Sequence, residues 1–162
     1  MDGTVVAFGN WLQNRSFALA VSTSDWAYPW IQATHFTGLT LWIGTTFAID
    51  LSFLGVGNDF QTPLQIFDAL LVWNWLGFCI AVTGGFLLFS ASAATYLINP
   101  AFITKLGFLI PVALTLHILI QRRARDWGSQ PDTPRAARIA ASVELLFWIS
   151  VVTAAVAIPY FD

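Results

Sequence analysis

Five ionisable side chains lie inside long apolar stretches of the chain, and they are the residues best placed to do chemistry. They are His35, Asp50, Lys105, His117 and Glu144. Within a membrane-spanning segment such a group costs a few kcal/mol, so each needs a partner or a purpose. Depth estimated from helical rise sorts them into an outer layer, His35 with Lys105, and an inner layer of the other three.

The outer layer has the residue pattern of a haem site. His35 is followed one turn later by Gly38. An imidazole can bind haem iron, and a small residue one turn away would let the macrocycle lie against the helix. We therefore predict haem b binding with His35 as the metal ligand and Lys105 as second ligand or propionate partner. The alternative is a histidine hydrogen-bonded to a neighbouring helix.

The two histidines lie at opposite ends of their spans. Helical rise places His35 and His117 roughly 15–20 Å apart along the membrane normal. Both axial ligands must approach one iron, so the two side chains cannot share a haem within one chain.

The inner layer, Asp50, His117 and Glu144, has two interpretations. Carboxylates and an imidazole inside a bundle are typical of a proton or ion relay. Alternatively, the layer is a buried polar network in which Asp50 or Glu144 pairs with an arginine. The candidate arginines are Arg122, Arg123 and Arg138, and His117 is then merely wetted at the interface. The chain contains no nucleophile–base pair, phosphate loop or HExxH metal motif, so no stand-alone enzymatic activity is expected.

Composition fixes the class of protein that carries these residues. The chain has 162 residues, of which 57% are hydrophobic and 10% charged, whereas soluble domains carry roughly a quarter. This predicts an integral membrane protein whose main partner is the lipid bilayer. A single cysteine, Cys79, excludes an intrachain disulfide, and the net charge of −2 gives no reason to expect nucleic-acid binding.

Turn signals divide the chain into four apolar spans within one transmembrane domain, residues 1–162. The predicted spans cover approximately 30–54, 70–97, 101–120 and 139–158. Ser24 and Asp25 are placed to cap the first span, Thr62-Pro63 opens the second helix, and Asn99-Pro100 closes it. Residues 1–28 lack the layout of a cleaved signal peptide and could form an interfacial amphipathic helix.

The basic residues predict the orientation of the bundle. Most of them flank the third loop, and these are Arg122, Arg123, Arg125, Arg135 and Arg138. The opposite side carries Arg15 and Lys105. The positive-inside rule therefore predicts an all-α bundle of four antiparallel transmembrane helices in a bacterial inner membrane, with both termini outside.

Small residues recur at four-residue spacing on the second span, at Gly77, Ala81 and Gly85. Such a stripe lets two helix backbones approach closely in lipid. It predicts helix packing within the chain, or an interface for a homo-oligomer or a larger membrane complex. A minority interpretation is that the glycines leave room for a flat cofactor.

Several blocks resemble, in order and spacing, a family of small bacterial four-helix membrane proteins known as a domain of unknown function. The blocks are Ser24-Asp25-Trp26…Pro29, His35-x-x-Gly38 with Gly44, Asp50-Leu-Ser-Phe-Leu-Gly55, Thr83-Gly84-x-x-Leu87-x-Phe89 and Asn99-Pro100-Ala101-Phe102-x-x-Lys105. The resemblance implies the four-span fold and no activity. That family commonly has Arg after the Asp-Leu of the third block, where this chain has Ser52, and the partner of Asp50 is therefore open.

The layout of His35, Lys105 and His117 is also distantly similar to two better-known groups. One is the HemJ family of membrane protoporphyrinogen oxidases, whose members bind haem b and carry a functional His and Lys. The other is the copper-resistance CopD family. The functional hypothesis is thus a haem b-binding electron-transfer or redox subunit. The alternatives are a non-enzymatic scaffold or accessory subunit, and copper handling, which the scarcity of Met and Cys disfavours.

Overall fold

The described part of the chain, residues 3–57 and 60–161 of a computed structural model, contains helices and no strand. The helices are α1 (Gly3–Gln13), α2 (Ser16–Thr23), α3 (Ala27–Phe53), α4 (Pro63–Ala91), α5 (Ala93–Tyr96), α6 (Pro100–Thr104), a π-helical segment (Lys105–Leu109), α7 (Ile110–Gly128), α8 (Arg135–Ala157) and a 3₁₀ turn (Ile158–Tyr160). Four candidate membrane spans are long and apolar enough to cross a bilayer: Ala27–Phe53, Pro63–Ala91, Pro100–Gly128 and Arg135–Tyr160. The all-α, four-span prediction is confirmed.

Polar side chains cap the starts of three helices, as the sequence predicts for Ser24 and Thr62. The Ser24 hydroxyl accepts a hydrogen bond from the Ala27 backbone N–H, at 3.1 Å, before α3. Thr62 and Gln65 form a reciprocal capping box before α4. The Asn99 side chain accepts from the Phe102 backbone N–H at 3.1 Å. Each bond satisfies a backbone donor that the first helical turn leaves unpaired.

The second span begins and ends earlier than its predicted range of 70–97. Helix α4 ends at Ala91, because Ser92 leaves the helical region with φ −144° and ψ 39°. Helix α1 packs against this break: a Cβ at Gly9 would lie 2.6 Å from Ala94 Cα. In addition, Gln13 accepts a hydrogen bond from the Ala94 backbone N–H at 3.3 Å. The N-terminal segment therefore supports the end of the second span.

The third span is longer than predicted and contains an irregular turn. It runs to Gly128, where the sequence predicted an end at residue 120. The π-helical turn, Lys105–Leu109, lies just before Pro111, and the Ile110 backbone N–H bonds the Lys105 carbonyl. Proline has no N–H, and its ring clashes with the carbonyl four residues earlier, so the wider turn accommodates Pro111.

Helices α3 and α4 approach closely through glycines. A Cβ at Gly38 would lie 2.6 Å from the Ala81 backbone nitrogen, and one at Gly77 would lie 2.6 Å from that of Trp42. Gly85 lies against the His35 ring. The small-residue stripe of α4 is therefore covered by α3 of the same chain, and an oligomeric interface would need another surface.

Two apolar clusters divide the bundle along its length. The first contains Ile49, Phe53, Phe67, Ile120, Ala124, Ala137 and Ala141. The second contains Trp42, Ala81, Ala113, Trp148 and Val151. Between the two clusters lie the buried polar side chains of Thr45, Thr46, Asn74, His117 and Glu144, whereas Asp50 lies at the level of the first cluster. Apolar side chains therefore flank most of the polar layer along the bundle axis.

Candidate functional site

A buried polar network occupies the layer between the two apolar clusters. Its members on the four long helices are Thr45, Thr46 and Asp50 of α3, Asn74 of α4, His117 and Gln121 of α7, and Glu144 of α8. His117 is 3% exposed, Asp50 1%, and Asn74 and Glu144 0%. Side chains so deeply buried are retained only where hydrogen bonds or bound charge compensate for lost water.

The imidazole of His117 is paired with Glu144. His117 Nδ1–H donates to Glu144 Oε1 at 2.6 Å, and the indole N–H of Trp148 donates to the same oxygen at 2.9 Å. The prediction that a buried carboxylate pairs with an arginine is wrong for Glu144. The interpretation of His117 as a wetted interfacial residue is also wrong, since its side chain is buried.

The orientation of the Asn74 amide is fixed by helix α3. Its Nδ2 donates to the Trp42 carbonyl at 3.2 Å, and to the hydroxyls of Thr45 and Thr46 at 3.0 and 2.8 Å. A backbone carbonyl can only accept, so the amide nitrogen must face α3. The amide oxygen therefore faces His117.

The Gln121 amide is oriented in the same way by Trp75. The indole N–H of Trp75 donates to Gln121 Oε1 at 2.8 Å, and an indole nitrogen cannot accept. Gln121 Nε2 is thereby turned towards the network, where it donates to Asn74 Oδ1 at 3.0 Å. The same nitrogen lies 2.8 Å from His117 Nε2.

His117 Nε2 therefore has a partner in either protonation state. Asn74 Oδ1, an acceptor, lies 2.9 Å away, and Gln121 Nε2, a donor, lies 2.8 Å away. Without a proton, Nε2 accepts from Gln121; with a proton, it donates to Asn74. In the protonated state the contact with Gln121 Nε2 is unfavourable, and a small rotation of the half-buried Gln121 side chain relieves it. In the neutral state Nε2 still faces Asn74 Oδ1, because helix α3 holds the Asn74 amide in place. The geometry thus accommodates both gain and loss of a proton.

Two carboxyl groups in the network carry unpaired oxygens. Among the described residues, Asp50 Oδ1 and Oδ2 and Glu144 Oε2 have no hydrogen-bond partner. Asp50 and Glu144 are also close enough to interact electrostatically. Ionised carboxylates buried side by side in a low dielectric cost several kcal/mol each unless positive charge accompanies them. This pair is therefore chemically suited to hold a proton.

An open cleft between α4 and α7 reaches the network at Gln121. Its volume is about 320 Å³. The lining residues are Phe67, Leu71, Trp75, Ile118, Gln121, Arg122 and Arg125. Because Gln121 contacts His117 and also lines the cleft, it lies between the buried network and the exterior.

The two residues of the outer layer, His35 and Lys105, also lie near each other. His35 Nδ1–H donates to the Ala81 carbonyl at 2.7 Å, which is the helix-to-helix hydrogen bond given above as the alternative to haem ligation. Lys105 lies within electrostatic range of this half-buried imidazole. The space next to Gly38 is filled by Ile80 and Ala81, so this glycine serves helix packing and leaves no room for a macrocycle there. Haem binding stays a prediction.

Sequence reasoning missed the uncharged members of the network. It searched for ionisable groups, whereas Asn74, Gln121 and the two threonines supply most of the hydrogen bonds. Asn74 could have been found as an amide in the middle of an apolar helix, where polar side chains join helices. Gln121 follows His117 by four positions and so shares its helix face.

Within residues 3–57 and 60–161, no three His, Cys, Asp or Glu side chains are placed to hold a metal ion.

Comparisons with family models, curated proteins and solved structures gave no match. The resemblances drawn from sequence blocks therefore stay predictions.

Proposed function

We propose that this chain is a multi-pass membrane protein whose core takes up and releases a proton. The proton-binding groups are His117, Glu144 and Asp50, and the protein serves as a proton acceptor and donor within the membrane. The observation that carries this proposal is the position of His117 Nε2, 2.9 Å from an acceptor and 2.8 Å from a donor.

The surroundings of the network support a proton rather than a larger ion. His117 already binds Glu144 through Nδ1, which leaves Nε2 to exchange a proton. The carboxyl oxygens without partners can receive a proton without displacing any hydrogen bond. Apolar clusters on both sides keep the charge localised, because they offer no competing polar group.

The proposal includes a membrane arrangement. Residues early in α3 meet residues late in α4, as His35 meets Gly84 and Trp42 meets Gly77, which favours antiparallel packing of these two helices. With the arginine-bearing loop in the cytoplasm, both termini lie outside a bacterial inner membrane. The network then exchanges protons on the cytoplasmic side.

Infrared difference spectroscopy tests the proposal. Spectra of the reconstituted protein at successive pH values should contain bands from a buried carboxyl group and an imidazole. These bands should change in Glu144→Gln and Asp50→Asn. They should remain in Asp126→Asn, a matched control at an exposed carboxylate. Identical difference spectra in the wild type and all three variants would overturn the proposal.

A second candidate function is haem b binding at His35, for electron transfer or as a redox subunit. One observation favours it: Nδ1 is held by the Ala81 carbonyl, while Nε2 has no partner among the described residues. Histidines that bind metals commonly have the other ring nitrogen held by a carbonyl in this way. Lys105 would then be the second ligand or the propionate partner. The bound haem would supply one-electron chemistry.

Absorption spectroscopy separates this candidate from the first. Protein from haem-replete cells should show a Soret band that is lost in His35→Ala and kept in His117→Ala, if haem binds there. A colourless wild-type preparation would eliminate haem and leave the proton-binding proposal intact. No specific contact favours copper handling, and a scaffold role would require a surface other than Gly77, Ala81 and Gly85.

A further inference from the structure

We infer that Gln121 is the gate through which His117 exchanges its proton with water in the cleft between α4 and α7. This inference rests on the proposed function and adds the route and side of proton access. Gln121 acts as a positioning residue: its amide covers His117 Nε2 and, on rotation, exposes that nitrogen to the cleft.

The closed state is the observed one. Gln121 bridges Trp75 on the cleft wall, at 2.8 Å, and His117 in the network, also at 2.8 Å. His117 itself does not line the cleft. A water molecule in the cleft can therefore reach Nε2 only after the Gln121 amide moves aside.

The opening step is small and local. Rotation of the Gln121 side chain breaks its hydrogen bond from Trp75 and its contacts with Asn74 and His117. All of these groups adjoin the cleft or the network, so water replaces the lost partners. A hydronium ion in the cleft then transfers its proton to His117 Nε2 and leaves as water, while the imidazole becomes imidazolium. Reversal of this step returns the proton to water.

The other direction is blocked by aromatic side chains. The Trp42 ring lies 4.5 Å from the Trp148 ring and 4.8 Å from the Phe78 ring, centroid to centroid. These rings belong to or pack against the second apolar cluster, which separates the network from the His35 layer. These rings therefore favour proton access from the cleft side.

Few charged groups among the described residues adjoin this route. Glu144 of α8 is hydrogen-bonded to the imidazole, Asp50 of α3 interacts electrostatically with Glu144, and α4 contributes the uncharged Asn74. At the cleft, α7 contributes Arg122 and Arg125. Arg125 is paired with an exposed carboxylate of α4, Asp68, at 2.9 Å. An ionised Glu144, hydrogen-bonded to Nδ1, stabilises the imidazolium that forms.

The test measures the exchange rate of the His117 imidazole proton by nitrogen-15 NMR. The chain has two histidines, so His35→Gln leaves His117 as the single imidazole signal. In that background, Leu71→Trp and Ile118→Trp fill the cleft from its two walls. Each should slow exchange by about tenfold or more while the titration midpoint stays the same. Gln121→Ala removes the gate and should speed exchange.

A matched control is Leu146→Trp, an exposed position on α8 away from the cleft, which should leave the rate unchanged. Two independent cleft variants are used so that the test remains valid if one of them does not fold. If His117 titrates but both cleft variants exchange at the parental rate, the gate is refuted and the proton-binding core stands. If His117 does not titrate in the parent, the proposed function itself fails.

Discussion

His117 and Glu144 form a buried hydrogen bond of 2.6 Å that joins α7 to α8. If one side chain is removed, water cannot easily take its place as a hydrogen-bond partner, because the two side chains are only 3% and 0% exposed. The bond is therefore expected to contribute to stability as well as to proton binding.

Removal of one partner should destabilise the bundle more than removal of both. Glu144→Leu leaves the donors of His117 and Trp148 unpaired in the core, and should lower the free energy of unfolding by about 1–3 kcal/mol. The double variant His117→Leu, Glu144→Leu should recover part of that loss, because it removes the unpaired imidazole, although the Trp148 indole N–H stays unpaired. Reversible unfolding in bicelles measures both. Additive losses in the double variant would contradict a direct interaction.

Asn74 should contribute far more to the stability of the bundle than an exposed amide does. Asn74→Ala removes the acceptor shared by His117 and Gln121, and should cost about 1–3 kcal/mol of unfolding free energy. Gln130→Ala is the matched control, because this exposed amide bonds only the Asp126 carbonyl, at 3.3 Å. Equal unfolding free energies for the two variants would show that the network contributes nothing to stability.

Close packing of α3 on α4 predicts opposite results at two glycines of the same helix. Gly38→Ala places a Cβ 2.6 Å from the Ala81 backbone nitrogen and should cost about 1–3 kcal/mol. Gly44→Ala meets no atom within 4 Å and should leave stability unchanged or raised, because alanine favours helix. Thermal unfolding measures the difference. Equal melting temperatures for both variants would show that the helices do not approach so closely.

The orientation has its own test. A reporter enzyme that is active only outside the cytoplasm, fused after Asp162, should be active if both termini are outside. The same reporter placed in the loop at Gln130 should be inactive. The opposite pattern would reverse the orientation and place the cleft outside the cytoplasm.

The sequence predicted what depends on local chemistry. Thr62-Pro63 opened α4 as expected, and the four apolar spans followed from composition, because length and hydropathy suffice to identify them. It did not predict the break at Ser92, since that break is supported by a tertiary contact from Gly9 of α1.

The sequence predicted the ionisable residues of the candidate site but not their arrangement. Asp50, His117 and Glu144 stand out because burying an ionisable group is costly. Their arrangement was not predictable, because pairing between α7 and α8 depends on helix rotation, and helix rotation is set by packing. Asn74 and Gln121 are uncharged, so a search for ionisable residues does not find them. Their orientations follow from the Trp42 carbonyl, which can only accept from Asn74, and the Trp75 indole, which can only donate to Gln121.

We propose that His117 binds and releases a proton inside the bundle. A nitrogen-15 NMR titration of the His35→Gln protein in lipid, where His117 gives the only imidazole signals, tests this claim most directly. We expect these signals to change reversibly between the neutral and the charged form within the pH range in which the protein is folded, and the transition to shift in Glu144→Gln. A His117 imidazole that keeps one protonation state throughout that range would contradict the claim.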